Sequence, residues 1–321
     1  MKKLIVTADD FGVFPSINEG VRQAIINGKV NSVACFANHE TAISNTIKLY
    51  DDLGEKAEMG CHLTISSGKP LTIKDNDAFT INGYFRDFSE LNHDAIEKQL
   101  PVLKKELEAQ VQVFLDAGIP ITHLSCHHTT LTTTEPLFKT YLEVASKFKI
   151  PIRSVNIKPD KKETTYRLVL KFLLLDDVPL KRRKEIERFG KEINTYLQQF
   201  GTKILTPDIL ESSHYGPLPM RDIWEVSVPR LVDNKRNDLN EFIKRFKNAP
   251  FETGELMLHL IKESKETRKE DSKIDYPGVN KKYFDSRRIE FESINGFDFG
   301  NYPDIKLSSW TELGSKAEKM A

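Results

Sequence analysis

The chain is poor in the features that mark several common functional classes. Among its 321 residues are only three cysteines, Cys35, Cys61 and Cys126, widely spaced and odd in number, so no disulfide framework is expected. Lysine plus arginine and aspartate plus glutamate number 47 each, for a formal net charge of zero. That balance gives no electrostatic case for nucleic acid or an anionic membrane as a partner. No apolar run approaches the length of a membrane span, the most apolar stretch lying around Leu168–Leu175. Met1-Lys2-Lys3 leads straight into a short apolar stretch without the longer core and cleavage site of a signal peptide, so a cytoplasmic protein is expected. There is no internal repeat, no low-complexity tract and no clear linker. One domain spanning residues 1–321 is therefore expected, with length enough for a sizeable core.

What the chain does have begins at its amino terminus. The apolar run Leu4-Ile5-Val6 ends in Thr7-Ala8-Asp9-Asp10-Phe11-Gly12. Such a run favours burial, whereas two adjacent ionised carboxylates are costly to bury without partners. A metal ion, or a catalytic role beside one, resolves the conflict; a helix cap plus a solvated Asp is the plainer alternative. Histidines occur in matching contexts. His62 lies in Met59-Gly60-Cys61-His62-Leu63, and His127-His128 follow the strand-like Thr122-His123-Leu124-Ser125. Carboxylate oxygen and imidazole nitrogen both suit a divalent ion, and three protein ligands leave positions for water and substrate. Cys126 beside the histidines leaves a Cys/His nucleophile as an alternative, one that would not explain the Asp pair.

The first half alternates strand and helix. Ser16 and Glu19 have capping-box spacing before a helix with Ile17, Val21, Ala24 and Ile25 on one face and Gly28 at its end. Strands are expected at residues 33–36, 59–65, 121–125 and 152–155, with helices at 41–50, 95–117 (broken or kinked at Pro101) and 136–147. Repeated βα units imply a parallel sheet, open or closed into a (β/α)-barrel-like form, whose sites collect at the carboxyl ends of the strands. Asp9, Asp10, His62 and His127 all fall there. A charged helical insertion is expected at about 160–203; its mixed charge, Lys181-Arg182-Arg183-Lys184 included, argues for a solvated face over a nucleic-acid patch. Farther on, residues 254–260 predict a strand carrying His259, residues 263–273 a charged loop, and residues 283–293 a helix containing Arg287 and Arg288.

Taken together, these blocks resemble the YdjC family of carbohydrate deacetylases, which includes the chitooligosaccharide deacetylases. The resemblance runs through Thr7–Gly12, Gly60-Cys61-His62-Leu63-Thr64 with Gly68-Lys69-Pro70-Leu71, Thr122-His123-Leu124 with His127-His128, and Pro151-Ile152-Arg153. It continues weakly through Glu255-Leu256-Met257 with His259 and Arg288 with Glu290. It implies a TIM-barrel-like hydrolase with one divalent metal, Mg²⁺ or Zn²⁺, held by Asp10, His62 and His127. It further implies Asp9 as catalytic base, His259 as a candidate acid, and His128, Arg153 and Phe11 near the substrate. The substrate implied is an amino sugar or short chitooligosaccharide, phosphorylated or not, losing its N-acetyl group; a homodimer is the base-rate expectation. Two stretches depart from the family pattern: Ser125 stands where an acidic residue is usual, and His259-Leu260-Ile261 where His-Pro-Gly is usual. They keep two alternatives open: another metal-assisted amide or ester hydrolase on the same fold, and a non-catalytic sugar-binding protein.

Overall fold

A computed structural model describes residues 1–155, 184, 188–189, 192–193, 195–198, 204–212, 227–274, 276 and 279–313. Seven of its strands form one parallel sheet: β1 (Lys2–Phe11), β2 (Ser32–Cys35), β3 (Glu58–Leu63), β6 (Ile121–Cys126), β7 (Ile209–Ser212), β8 (Thr253–Leu258) and β9 (Ile305–Leu307). The order is β6-β3-β2-β1-β8-β7, with β9 pairing the start of β1. β4 (Thr80–Ile81) and β5 (Tyr84–Phe85) make a small antiparallel hairpin in the loop after β3. The helices are α1 (Pro15–Ile26), α2 (Ala42–Leu53), α3 (His93–Glu97), α4 (Leu100–Asp116), α5 (Glu135–Phe148), α6 (Val228–Asn248), α7 (Lys265–Asp271) and α8 (Lys281–Asn295). Most of the expected insertion at 160–203 lies outside the described residues.

β1 is the centre of the sheet, buried from Leu4 to Phe11. Strands of a parallel sheet are covered on both faces, which is why β1 is a continuous apolar run up to its aspartates. The sheet curls. Beyond β6, Leu124 N–H donates to Pro151 O (2.8 Å) and Arg153 N–H to Leu124 O (2.8 Å). Ile152 N–H in turn donates to Leu205 O at 2.9 Å, four residues before β7 begins. The segment at Ile152 thus bridges β6 and the residues leading into β7, in keeping with the expected barrel-like form. The expected strand at 152–155 is reduced to a single bridge, Leu124 to Ile152; its hydrogen bonds go to two separate neighbours rather than along one ladder.

Two local expectations are corrected. Ser16 does not cap α1: Phe14 is the N-cap, without a side-chain cap, and Pro15 opens the helix. Instead Asp271, at the end of α7, accepts the Ser16 N–H at 3.2 Å, placing a carboxylate at the positive end of α1. The stretch expected as a charged loop at 263–273 contains α7, begun by a Ser264–Thr267 capping box. Pro101 acts as expected: α3 and α4 are separate, with the proline in the first turn of α4.

α4 also fixes the loop after β3. Its fully buried Glu106 accepts from Leu71 N–H (2.9 Å), Thr72 N–H (2.7 Å) and Thr72 Oγ1 (2.8 Å). Gln110, equally buried, receives Thr64 N–H and donates to Thr64 O, both at 2.9 Å. A buried carboxylate and amide with their partners met in this way set the loop's path without an unsatisfied cost.

Candidate metal centre

In a regular strand, neighbouring side chains point to opposite faces. Asp9 and Asp10 escape that rule because the pairing of β1 with β2 shifts register between Ala8 and Phe11. Asp10 there takes φ 66°, in the left-handed region that Asp tolerates better than most residues. Such a conformation costs on the order of 1–3 kcal/mol and persists only where its surroundings enforce it. Here the result is that both carboxylates reach His62: Asp9 Oδ2 lies 3.9 Å and Asp10 Oδ1 3.5 Å from its Nε2.

β3 delivers His62, and the end of β6 delivers His127, so three strands converge. His127 Nδ1 is 3.1 Å from Asp10 Oδ1 and 3.3 Å from His62 Nε2. Asp10, His62 and His127 are all buried. Among the described residues they are the group of acidic, histidine and cysteine side chains able to share one metal ion. The three atoms are spaced at 3.1, 3.3 and 3.5 Å. Ligands at about 2.0–2.1 Å from one ion in tetrahedral array would lie about 3.3 Å apart. Both Asp10 oxygens are buried, with no hydrogen bond of good geometry, beside the nitrogens of His62 and His127. Burial alone would raise the Asp10 carboxyl, yet His127, His62 and His259 hold it well below the usual carboxylate range. His127 in turn is pushed down by burial, which disfavours its charged form, despite Asp10. A buried carboxylate that faces the nitrogens of two histidines at metal-ligand spacing fits a cation site.

Asp9 is held differently. Arg153 NH1 and NH2 donate to its two oxygens at 2.6 and 2.7 Å, and the same guanidinium reaches Glu255 at 2.9–3.0 Å. All three are buried. Burial would raise Asp9, but Arg153 and His62 bring it below its ordinary value, so it stays ionised. Glu255, on β8, is raised by burial in spite of Arg153.

His259 follows β8. Its Nε2 is 3.9 Å from Asp10 Oδ2, and burial lowers it to about 4, so it is neutral at ordinary pH. Its backbone N–H donates to Glu290 at 3.1 Å, and burial raises that carboxyl to about 7. His128 sits at φ 53° with Nδ1 3.2 Å from Ser66 Oγ. Phe11 is buried and packs in the apolar core. Phe14 and Phe85 are likewise buried, whereas Tyr84 is exposed. Cys126 is no nucleophile candidate: burial pushes its thiol up to about 12.

Three neighbours were given no site role from the sequence. Arg287 of α8 places NH2 3.5 Å from Asp10 Oδ2 and lies over the Tyr283 ring at 3.5 Å. Tyr276 Oη is 3.2 Å from His127 Nε2, and Glu255 braces Arg153. Only Glu255 carried a readable signal, an acid within an apolar strand.

A family model described as YdjC-like protein matches residues 3–299. A carbohydrate deacetylase of Thermoanaerobacter pseudethanolicus is 32% identical over 166 residues, or 50% of this chain and 64% of that one. Another, of Halalkalibacterium halodurans, is 33% identical over 156 residues, or 47% of this chain and 63% of that one. The chain thus spans somewhat under two thirds of the length of these two relatives. A crystal structure from Enterococcus faecalis V583, described as a candidate cellobiose-phosphate cleavage protein, superposes with a TM-score of 0.64 at 18% identity. The match covers 97% of this chain and 98% of that one, a likeness of fold.

Proposed function

The chain belongs to the YdjC-like protein family, and from that premise we propose that it is a metal-dependent carbohydrate deacetylase. Its reaction would be hydrolysis of the N-acetyl amide of an amino sugar or short chitooligosaccharide, giving acetate and a free amine. The observation that carries this reading is Asp10, buried with both oxygens lacking a hydrogen bond of good geometry and facing two histidine nitrogens. Asp10, His62 and His127 would hold one divalent ion, zinc or magnesium. That ion, when bound, supplies polarisation of the acetyl carbonyl and a more acidic water.

The remaining roles fall to residues around it. Asp9 accepts the proton of the attacking water. Its clamp to Arg153 uses one hydrogen bond on each oxygen, which leaves a lone pair to take that proton and keeps the carboxylate from swinging in as a ligand. Arg287, beside Asp10, adds positive charge where the amide oxygen becomes negative. His259 enters neutral, so it serves as proton donor to the departing amine only after taking up the proton Asp9 has accepted. His128, whose Nδ1 lies 3.2 Å from Ser66 Oγ, would contact the substrate.

The test is acetate release from N-acetylglucosamine, diacetylchitobiose and its phosphorylated form by the metal-loaded chain. Asp9→Asn should keep the metal and lose turnover by about 10²–10⁴-fold, the usual scale for a proton-transfer group. Undiminished release in Asp9→Asn would remove the base assignment; no release from any substrate by a metal-loaded wild type would remove the deacetylase reading.

A further inference from the structure

Two hydroxyl groups lie behind the histidines, each touching the ring nitrogen that faces away from Asp10. Ser125 Oγ is 2.7 Å from His62 Nδ1, and Tyr276 Oη is 3.2 Å from His127 Nε2. The inward nitrogens are therefore of opposite kind, Nε2 in His62 and Nδ1 in His127. A neutral imidazole carries one hydrogen, and only its bare nitrogen can ligate a metal. The partner of the other nitrogen decides which one is bare.

We infer that Ser125 and Tyr276 hold the two histidines in opposite tautomers, so that His62 ligates through Nε2 and His127 through Nδ1. This rests on the metal-dependent reading above and adds the means by which this chain prepares the site. Ser125 Oγ accepts the His62 Nδ1–H. Tyr276 Oη accepts the His127 Nε2–H and, on its second lone pair, the hydrogen of Ser67 Oγ, 2.9 Å away. Ser67 Oγ in turn lies 2.9 Å from His39 Nε2, whose hydrogen it can accept.

The rings are also kept from turning over. Phe36 packs edge-on against His39, His62 and His127 at centroid distances of 4.9, 5.0 and 4.9 Å. The His39 ring stacks on Tyr276 at 5.9 Å and 20°. A ring flip exchanging the two nitrogens would have to displace that packing. Ser125 and Tyr276 are positioning residues: they act on the metal through the histidines.

The experiment uses the full chain with ¹⁵N-labelled histidine, stripped of metal and reloaded with Zn²⁺, and reads tautomers from long-range ¹H–¹⁵N correlations. The expected pattern is hydrogen on Nδ1 of His62 and on Nε2 of His127, with the opposite nitrogens shifted by zinc. Zinc affinity, measured by chelator competition, should fall about tenfold in Ser125→Ala and in Tyr276→Phe, the lower end for loss of a ligand's partner. Ser125→Thr should restore it. Ser67→Ala interrupts the same chain one step farther out should Tyr276→Phe not fold. Zinc on Nε2 of His127 or Nδ1 of His62, or wild-type affinity and tautomers in both variants, would overturn the inference alone. A wild-type chain that binds no divalent ion would overturn it together with the proposed function.

Discussion

At the scale of single residues, the centre is decided by how two adjacent aspartates are partnered. Asp10 faces the nitrogens of His62 and His127 at 3.5 and 3.1 Å, while Asp9 is clamped by a guanidinium shared with Glu255. Arg153 therefore neutralises two buried acids. Replacing it with Met would leave both without a cation, and breaking a buried pair in this way costs about 3–5 kcal/mol. Urea unfolding of Arg153→Met should show that loss; a wild-type midpoint would mean that the two acids are solvated. The sequence made much of this legible, because an Asp pair at the end of an apolar run and histidines at later strand ends each demand a partner. Asp9, Asp10, His62, His127, Arg153 and His259 do converge. Arg287, Tyr276, Ser67 and His39 were not legible as neighbours, because they come from segments whose approach depends on how the sheet curls.

At the scale of elements, irregularities place the site. The bulge in β1 turns Asp10 toward His62, and a second register shift, between Met59 and Cys61, lies where β3 pairs with β6. Gly60 stands at that second shift because a Cβ there would come within 2.2–2.5 Å of the His123 ring. His123 cannot yield easily, since it is fully buried and stacked on Trp310 at 4.5 Å and 7°. We expect Gly60→Ala to destabilise the fold by about 1–3 kcal/mol, the usual cost of overpacking. Denaturant unfolding checks this, and an unchanged midpoint would show that His123 has room to move. Periodicity made α1, α2, α4 and α5 and most of the strands legible, since each buries one face or both. It missed α7, whose residues are nearly all polar and which is held by its own capping box and by Asp271 on α1. It also credited Ser16 with a cap that a distant carboxylate provides; local spacing cannot reveal a partner 255 positions away.

At the scale of the whole molecule, curling of one parallel sheet gathers the carboxyl ends of β1, β3, β6 and β8 around a single buried centre. Alternation of strand and helix made the sheet legible, and strand-end placement made the location of the site legible. The sequence could not say whether the segment at Ile152 bridges β6 and the residues leading into β7, a matter that turns on hydrogen bonds such as Ile152 to Leu205. Among the described residues, no helix is long and apolar enough to cross a membrane. The decisive measurement is acetate release from diacetylchitobiose by metal-stripped protein as Zn²⁺, Mg²⁺, Mn²⁺ or Co²⁺ is added back. We expect activity to return in proportion to one ion bound per chain, and to stay absent in Asp10→Ala. One ion bound at Asp10, His62 and His127 with no acetate released, or release undiminished in the stripped protein, would contradict a metal-dependent deacetylase.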